Sequence, residues 1–244
     1  MRKGILAGYF LGGYPDIPVS LEIMKKSAPE VDVFEIGYPA EDPFLEGETI
    51  RQAHKKALVP GDAPGIGYWE TLRDALDKPV WIMAYRETFI RTGRYREFAE
   101  RTLADALVLP DCTDAERFAL QEELLPQGME VLGFANHETP PEQFVRIASR
   151  HRTIYFQLYL GKTGSTDTKD RDPSAYIDAV KTLPGVTLVA GFGINSAERA
   201  RYLIDRGFDG VVIGTALVKA LNESEKTMLA LIRDISRVLA GERP

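Results

Sequence analysis

Eight times along the chain, a short run rich in β-branched and aromatic residues is followed by a longer segment with apolar positions at helical spacing. This alternation restricts the fold more than any other feature, because strands separated by helices pair in parallel and need helices to cover them. The spacing predicts strands at residues 4–10, 32–37, 80–85, 106–109, 130–134, 153–158, 187–190 and 210–213. Helices are expected at 19–26, 49–58 together with 69–76, 95–103, 114–125, 141–149, 173–183, 197–205 and 224–240. Thr113, and either Asn195 or Ser196, are N-cap candidates, while Gly128, Gly185 and Gly207 follow helical runs as stops. Eight units with no glycine-rich dinucleotide fingerprint after the first strand favour an α/β fold of the closed (β/α)8 type, a TIM barrel, over a doubly wound open sheet.

The 244 residues are read as a single barrel domain spanning 1–244, with the Pro/Gly cluster at 60–67 a loop within one unit. A net charge of −6 and the lack of a basic stripe with interleaved aromatics argue against nucleic-acid binding. No apolar stretch approaches the ~20 residues of a membrane span. One cysteine, Cys112, excludes an intrachain disulfide, and the N-terminus has no signal-peptide pattern, so a cytoplasmic location is expected. His54, His137 and His151 form no ligand motif, so no metal is expected.

Two glycine-rich segments stand out. Gly191-Phe192-Gly193-Ile194-Asn195 follows the seventh strand and Gly214-Thr215-Ala216 the eighth, each leading into a helix. Glycines let backbone N–H groups approach an anion closely, and a helix N-terminus adds a favourable dipole. Barrels often build phosphate sites at this place, so Gly193, Gly214 and Thr215 are phosphate-binding candidates for a small phosphorylated substrate. The alternative is that each segment only makes a tight turn.

Order and spacing of further segments carry a resemblance. They are Gly12-Gly13-Tyr14-Pro15-Asp16, Phe34-Glu35-Ile36-Gly37-Tyr38-Pro39, Asp42-Pro43, Met83-Ala84-Tyr85, Leu109-Pro110-Asp111, Gly191-Phe192-Gly193-Ile194 and Val212-Ile213-Gly214-Thr215-Ala216-Leu217-Val218-Lys219. Through them the chain resembles the tryptophan synthase α subunit family over most of its length. The resemblance implies a barrel lyase that cleaves indole-3-glycerol phosphate to indole and glyceraldehyde 3-phosphate without a cofactor, alongside a β subunit as partner. It also implies that Glu35 is the proton-transferring glutamate and Glu46 the group facing the ring nitrogen. Where the family motif reads Ser-Asp-Pro-Leu-Ala-Asp-Gly, this chain has Glu41-Asp42-Pro43-Phe44-Leu45-Glu46-Gly47, so the family's aspartate is Glu46 here, on an arm one methylene longer.

The loop after the sixth strand reads Gly161-Lys162-Thr163-Gly164-Ser165-Thr166-Asp167 in place of Ser-Arg-x-Gly-Val-Thr-Gly. By resemblance Gly164 belongs to the phosphate site and Thr166 to the substrate site, while Lys162 lacks the fork of the arginine it replaces. Tyr85 and Phe192 either line an aromatic-substrate pocket or pack in the core. Asp111 either orients a loop across the barrel mouth or caps a helix. Cys112 reads as a small buried residue with no base beside it, and His137 lies on the active face. Glu46 and the 161–167 loop point to a second reading, a paralogue acting on another small phosphorylated substrate. A third is a weakly catalytic phosphate-binding barrel that modulates a partner enzyme, against which both retained carboxylates argue.

Overall fold

The computed structural model describes residues 4–59, 63–161 and 171–242. Its strands are β1 (Ile5–Leu11), β2 (Val33–Gly37), β3 (Val80–Met83), β4 (Ala106–Val108), β5 in two pieces (Glu130–Val131 and Gly133–Asn136), β6 (Thr153–Gln157), β7 (Thr187–Gly191) and β8 (Gly210–Ile213). All pair in parallel with sequence neighbours, and β1 pairs with both β2 and β8, as a (β/α)8 barrel requires. The fifth strand was expected unbroken. It changes partner at Leu132, with the piece before it on β4 and the piece after it on β6, so the barrel nearly closes there.

The helices are α1 (Ile17–Ser27), α2 (Glu48–Ala57), α3 (Ile66–Ala75), α4 (Arg94–Glu100), α5 (Asp114–Leu124), α6 (Pro141–Ala148), α7 (Ser174–Lys181), α8 (Ala197–Arg206), α9 (Thr215–Glu223) and α10 (Glu225–Leu239). Thr113 caps α5 with a reciprocal Glu116 bond, and Ser196, not Asn195, caps α8. Gly128, Gly185 and Gly207 all take positive φ. Two elements were not foreseen in full. A π turn spans Arg86–Ile90, and α9 begins directly after β8, one helix earlier than 224–240.

Alternation along β1 sorts the core into two layers. Leu6 and Phe10 face the helices with Ile23, Trp69 and Phe98, while Ala7, Tyr9 and Leu11 face the barrel interior with Val33, Met83, Val108, Tyr155 and Val212. At the N-terminal end of the barrel, aspartates tie neighbouring strands together. Asp32 accepts from Leu6 N–H, Asp105 from Val80 N–H and Asp209 from Leu188 N–H, each at 2.8 Å. These clamps occupy the end of the barrel that serves stability, leaving the other end for chemistry. No helix of the described residues is long and apolar enough to cross a membrane.

Candidate active site

At the C-terminal ends of the strands lies a cavity of about 490 Å³. Glu35 enters it because its neighbours Phe34 and Ile36 turn outward into the helix-facing layer, which leaves the middle residue of β2 on the inner face. Glu35 is 2% exposed, and among the described residues nothing hydrogen-bonds its carboxyl. Burial pushes its pKa up to about 8, and the nearby Glu46 carboxylate adds to the rise. Glu35 therefore holds its proton at neutral pH.

Glu46 arrives from the loop between β2 and α2. Its acidic neighbours Glu41, Asp42 and Glu48 are exposed, yet Glu46 is 1% exposed. A turn closed by Glu46 N–H donating to Pro43 O at 2.9 Å folds it inward, and the Tyr85 hydroxyl donates to Glu46 Oε1 at 3.3 Å. Burial, reinforced by the Glu46 charge, raises the pKa of that phenol, so it stays a donor. Upstream, Ala40 N–H donates to His54 Nδ1 at 3.0 Å and fixes the stretch that joins the two glutamates. Burial lowers the pKa of His54 to about 4, so the ring is neutral and keeps accepting.

Two tyrosines flank the acids. Tyr9, opposite Glu35 in the β1–β2 register, has a buried hydroxyl with no hydrogen-bond partner among the described residues, and Tyr155 comes from β6. Both line the cavity, and in each burial, followed by the glutamate charges, raises the phenol pKa. Leu45, Met83, Val108, Phe134 and Val212 supply apolar wall between them, which suits a flat ring.

On the β7 and β8 side the wall changes character. Phe192 and Gly193, directly after β7, take positive φ of 72° and 75°, and Asn195 leads into the N-terminus of α8. Gly214 is the N-cap of α9 and Thr215 its first residue. Gly193, Asn195, Gly214 and Thr215 all line the cavity, so the turn after β7 and the N-terminus of α9 converge on it. Lys219, one turn into α9, is the one basic side chain among the described lining residues.

The structure thus brings Glu35, Glu46, Phe192, Gly193, Gly214 and Thr215 together around one space. Tyr85 is not on its wall. It stands behind Glu46, against Phe44, and is 2% exposed. Gly164 and Thr166, with Lys162, lie outside the described residues. Asp111 orients a loop: it accepts Arg86 N–H at 3.1 and 3.0 Å, and the cap of α5 belongs to Thr113. His137 sets its ring edge-on to Phe156 and Tyr176 and does not line the cavity. Cys112 is 5% exposed, and burial pushes its thiol up to about 12. Among the described residues no cluster of three metal-ligating side chains occurs.

Sequence reading did not assign Tyr9, Tyr155, Asn195 or Lys219 to the site. For the tyrosines a signal existed, since period-two alternation puts Tyr9 on one face with Ala7 and Leu11 and so inside the barrel.

Chemically, the arrangement puts a neutral acid, a second buried carboxylate and the glycine-rich turns after β7 and β8 around one apolar-walled space. A family model described as tryptophan synthase alpha chain matches residues 1–239. The tryptophan synthase alpha chain of Synechococcus sp. is 30% identical over 228 residues, covering 90% of this chain and 85% of that protein. That of Carboxydothermus hydrogenoformans is 30% identical over 227 residues, covering 90% and 84%. Among solved structures, Mycobacterium tuberculosis tryptophan synthase superposes with a TM-score of 0.84 at 24% identity, covering 98% of this chain and 93% of that one. The tryptophan synthase A-subunit of Pyrococcus furiosus gives 0.79 at 22%, covering 98% of each. Both superpositions carry the fold.

Proposed function

The chain belongs to the tryptophan synthase alpha chain family, and from that premise we propose that it is a lyase cleaving indole-3-glycerol phosphate to indole and glyceraldehyde 3-phosphate. One observation carries the reading: Glu35, kept protonated by burial, shares a cavity with a second buried carboxylate, with the glycine turn after β7 and with the N-terminus of α9.

The reaction needs a proton on the ring carbon that bears the side chain. Glu35 has one to give at neutral pH. Protonation leaves the ring as a cation with charge on its nitrogen, and the Glu46 carboxylate, braced by Tyr85, stabilises that charge through the ring N–H. Glu35, now a carboxylate, takes the proton of the adjacent glycerol hydroxyl. The carbon–carbon bond then breaks, its electrons restore the aromatic ring, the hydroxyl carbon becomes the aldehyde, and Glu35 is again protonated. Gly193, Gly214 and Thr215 anchor the phosphate so that the reacting bond lies over the acids. Family membership also supports a tryptophan synthase β subunit as partner, approached through the loop that carries Glu46 and the exposed Phe44.

Incubating the isolated protein with indole-3-glycerol phosphate should release indole, and adding a tryptophan synthase β subunit should raise that rate. No indole from a folded, phosphate-binding protein would overturn the substrate assignment and favour the paralogue.

A further inference from the structure

The turn after β7 is awkward for a polypeptide. It puts two consecutive residues at positive φ, and Phe192, at 72°, has a side chain that disfavours that region. Something must hold it there. The support comes from the end of the preceding strand. Leu158 N–H donates to Gly191 O at 3.0 Å, closing the gap between β6 and β7, and the next residue, Tyr159, lays its ring against Gly193. A Cβ on Gly193 would sit 2.2 Å from a Tyr159 ring carbon. Gly193 is thus required twice, by its φ of 75° and by the ring.

Tyr159 is itself tied down. Arg199 Nη2 donates to the Tyr159 hydroxyl at 2.7 Å, and its guanidinium lies 5.8 Å from the Tyr159 ring centre and 5.1 Å from that of Tyr202. Arg199 belongs to the first turn of α8, where its own N–H donates to the capping Ser196 hydroxyl at 3.2 Å. The segment 192–195 is therefore gripped at both ends, by a ring at Gly193 and by a capped helix at Ser196, and one arginine joins the two grips.

We propose that Tyr159, anchored by Arg199, is a positioning residue that sets the Gly193 amide for the substrate's phosphate. Tyr159 touches no substrate in this scheme. It acts through Gly193, and the inference rests on the phosphate site proposed above.

The test measures binding of two probes by calorimetry, inorganic phosphate for the amide seat and indole for the ring pocket. Tyr159→Ala should weaken inorganic phosphate about tenfold, the equivalent of one hydrogen bond to a charged group, and leave indole affinity unchanged. Tyr159→Phe keeps the ring and should recover most of the loss. Tyr159→Leu, which keeps bulk without the flat ring or the hydroxyl, serves should the alanine variant fail to fold. Wild-type phosphate affinity in a folded alanine or leucine variant would overturn the proposal, as would an equal loss for both probes, which marks a general structural role. If the wild type binds indole but no phosphate, the phosphate reading itself falls and takes this inference with it. Absence of indole release with phosphate binding intact touches only the substrate assignment.

Discussion

The two walls of the cavity work by different means. On the β2 side, the proposed chemistry resides in side chains: Glu35 and Glu46 are both almost fully buried, and burial keeps the Glu35 carboxyl protonated. On the β7 and β8 side, the proposed phosphate seat lies in the main chain, in the amides of the Phe192–Gly193 turn and of the first turn of α9. A wall of carboxylates is tunable by pH and by single methylenes. A wall of amides is indifferent to both, and is vulnerable only to what bends the backbone. Damage to the first should appear in turnover, and damage to the second in affinity.

The largest expected effect separates the walls outright. Glu35→Gln preserves size and removes the acid, so indole release at saturating substrate should fall by about 10³-fold, within the usual range for a lost general acid. Affinity for inorganic phosphate should not change. A parallel loss of phosphate binding would break the division between the walls.

pH offers the next contrast. Because the pKa of Glu35 is raised to about 8, turnover should hold up to that pH and then drop about tenfold per unit, while phosphate affinity between pH 7.5 and 9.5 stays level. Stability follows the same sign. The folded pKa lies above the ordinary 4.5, so the contribution of neutral Glu35 is complete below 4.5, declines as pH rises and is lost above about 8. Urea midpoints of the wild type should therefore fall relative to those of Glu35→Gln between pH 5 and pH 9. Parallel midpoints would remove the basis for the raised pKa.

The smallest effect probes the other wall. Gly193→Ala places a Cβ at positive φ and against the Tyr159 ring, so KM for indole-3-glycerol phosphate should rise about tenfold with kcat changed little. A drop in kcat with KM untouched would show that the turn serves the chemistry directly.

The walls also differed in how far the sequence revealed them. A barrel was legible because alternation of strand and helix is a property of whole segments, and the Thr113 cap announced itself through Glu116 three residues on. The break at Leu132 and the split of the last helical stretch into α9 and α10 were not, because both depend on which strand lies alongside and on the chain's exit from the barrel rim. In the site, Glu35 stood out as a carboxylate between two large apolar residues. Glu46 did not: four acids lie within eight positions, and which of them turns inward is decided by the turn at Pro43 and by Tyr85, contacts no local pattern encodes. The glycine turns were visible as glycines. The ring of Tyr159 that makes one of them obligatory comes from the bend after β6, 34 positions earlier in the chain.

The sole cysteine carries a practical consequence. Cys112 is buried beside Asp111 and Glu116, whose charges reinforce the burial that keeps its thiol neutral. Thiolate is the form that alkylates, so at neutral pH the wild-type protein should take up maleimide or iodoacetamide very slowly. Any cysteine introduced on the surface would then be the single point of attachment. A fluorophore or spin label placed beside either wall would report on that wall alone, with no background to subtract and no native residue to remove first.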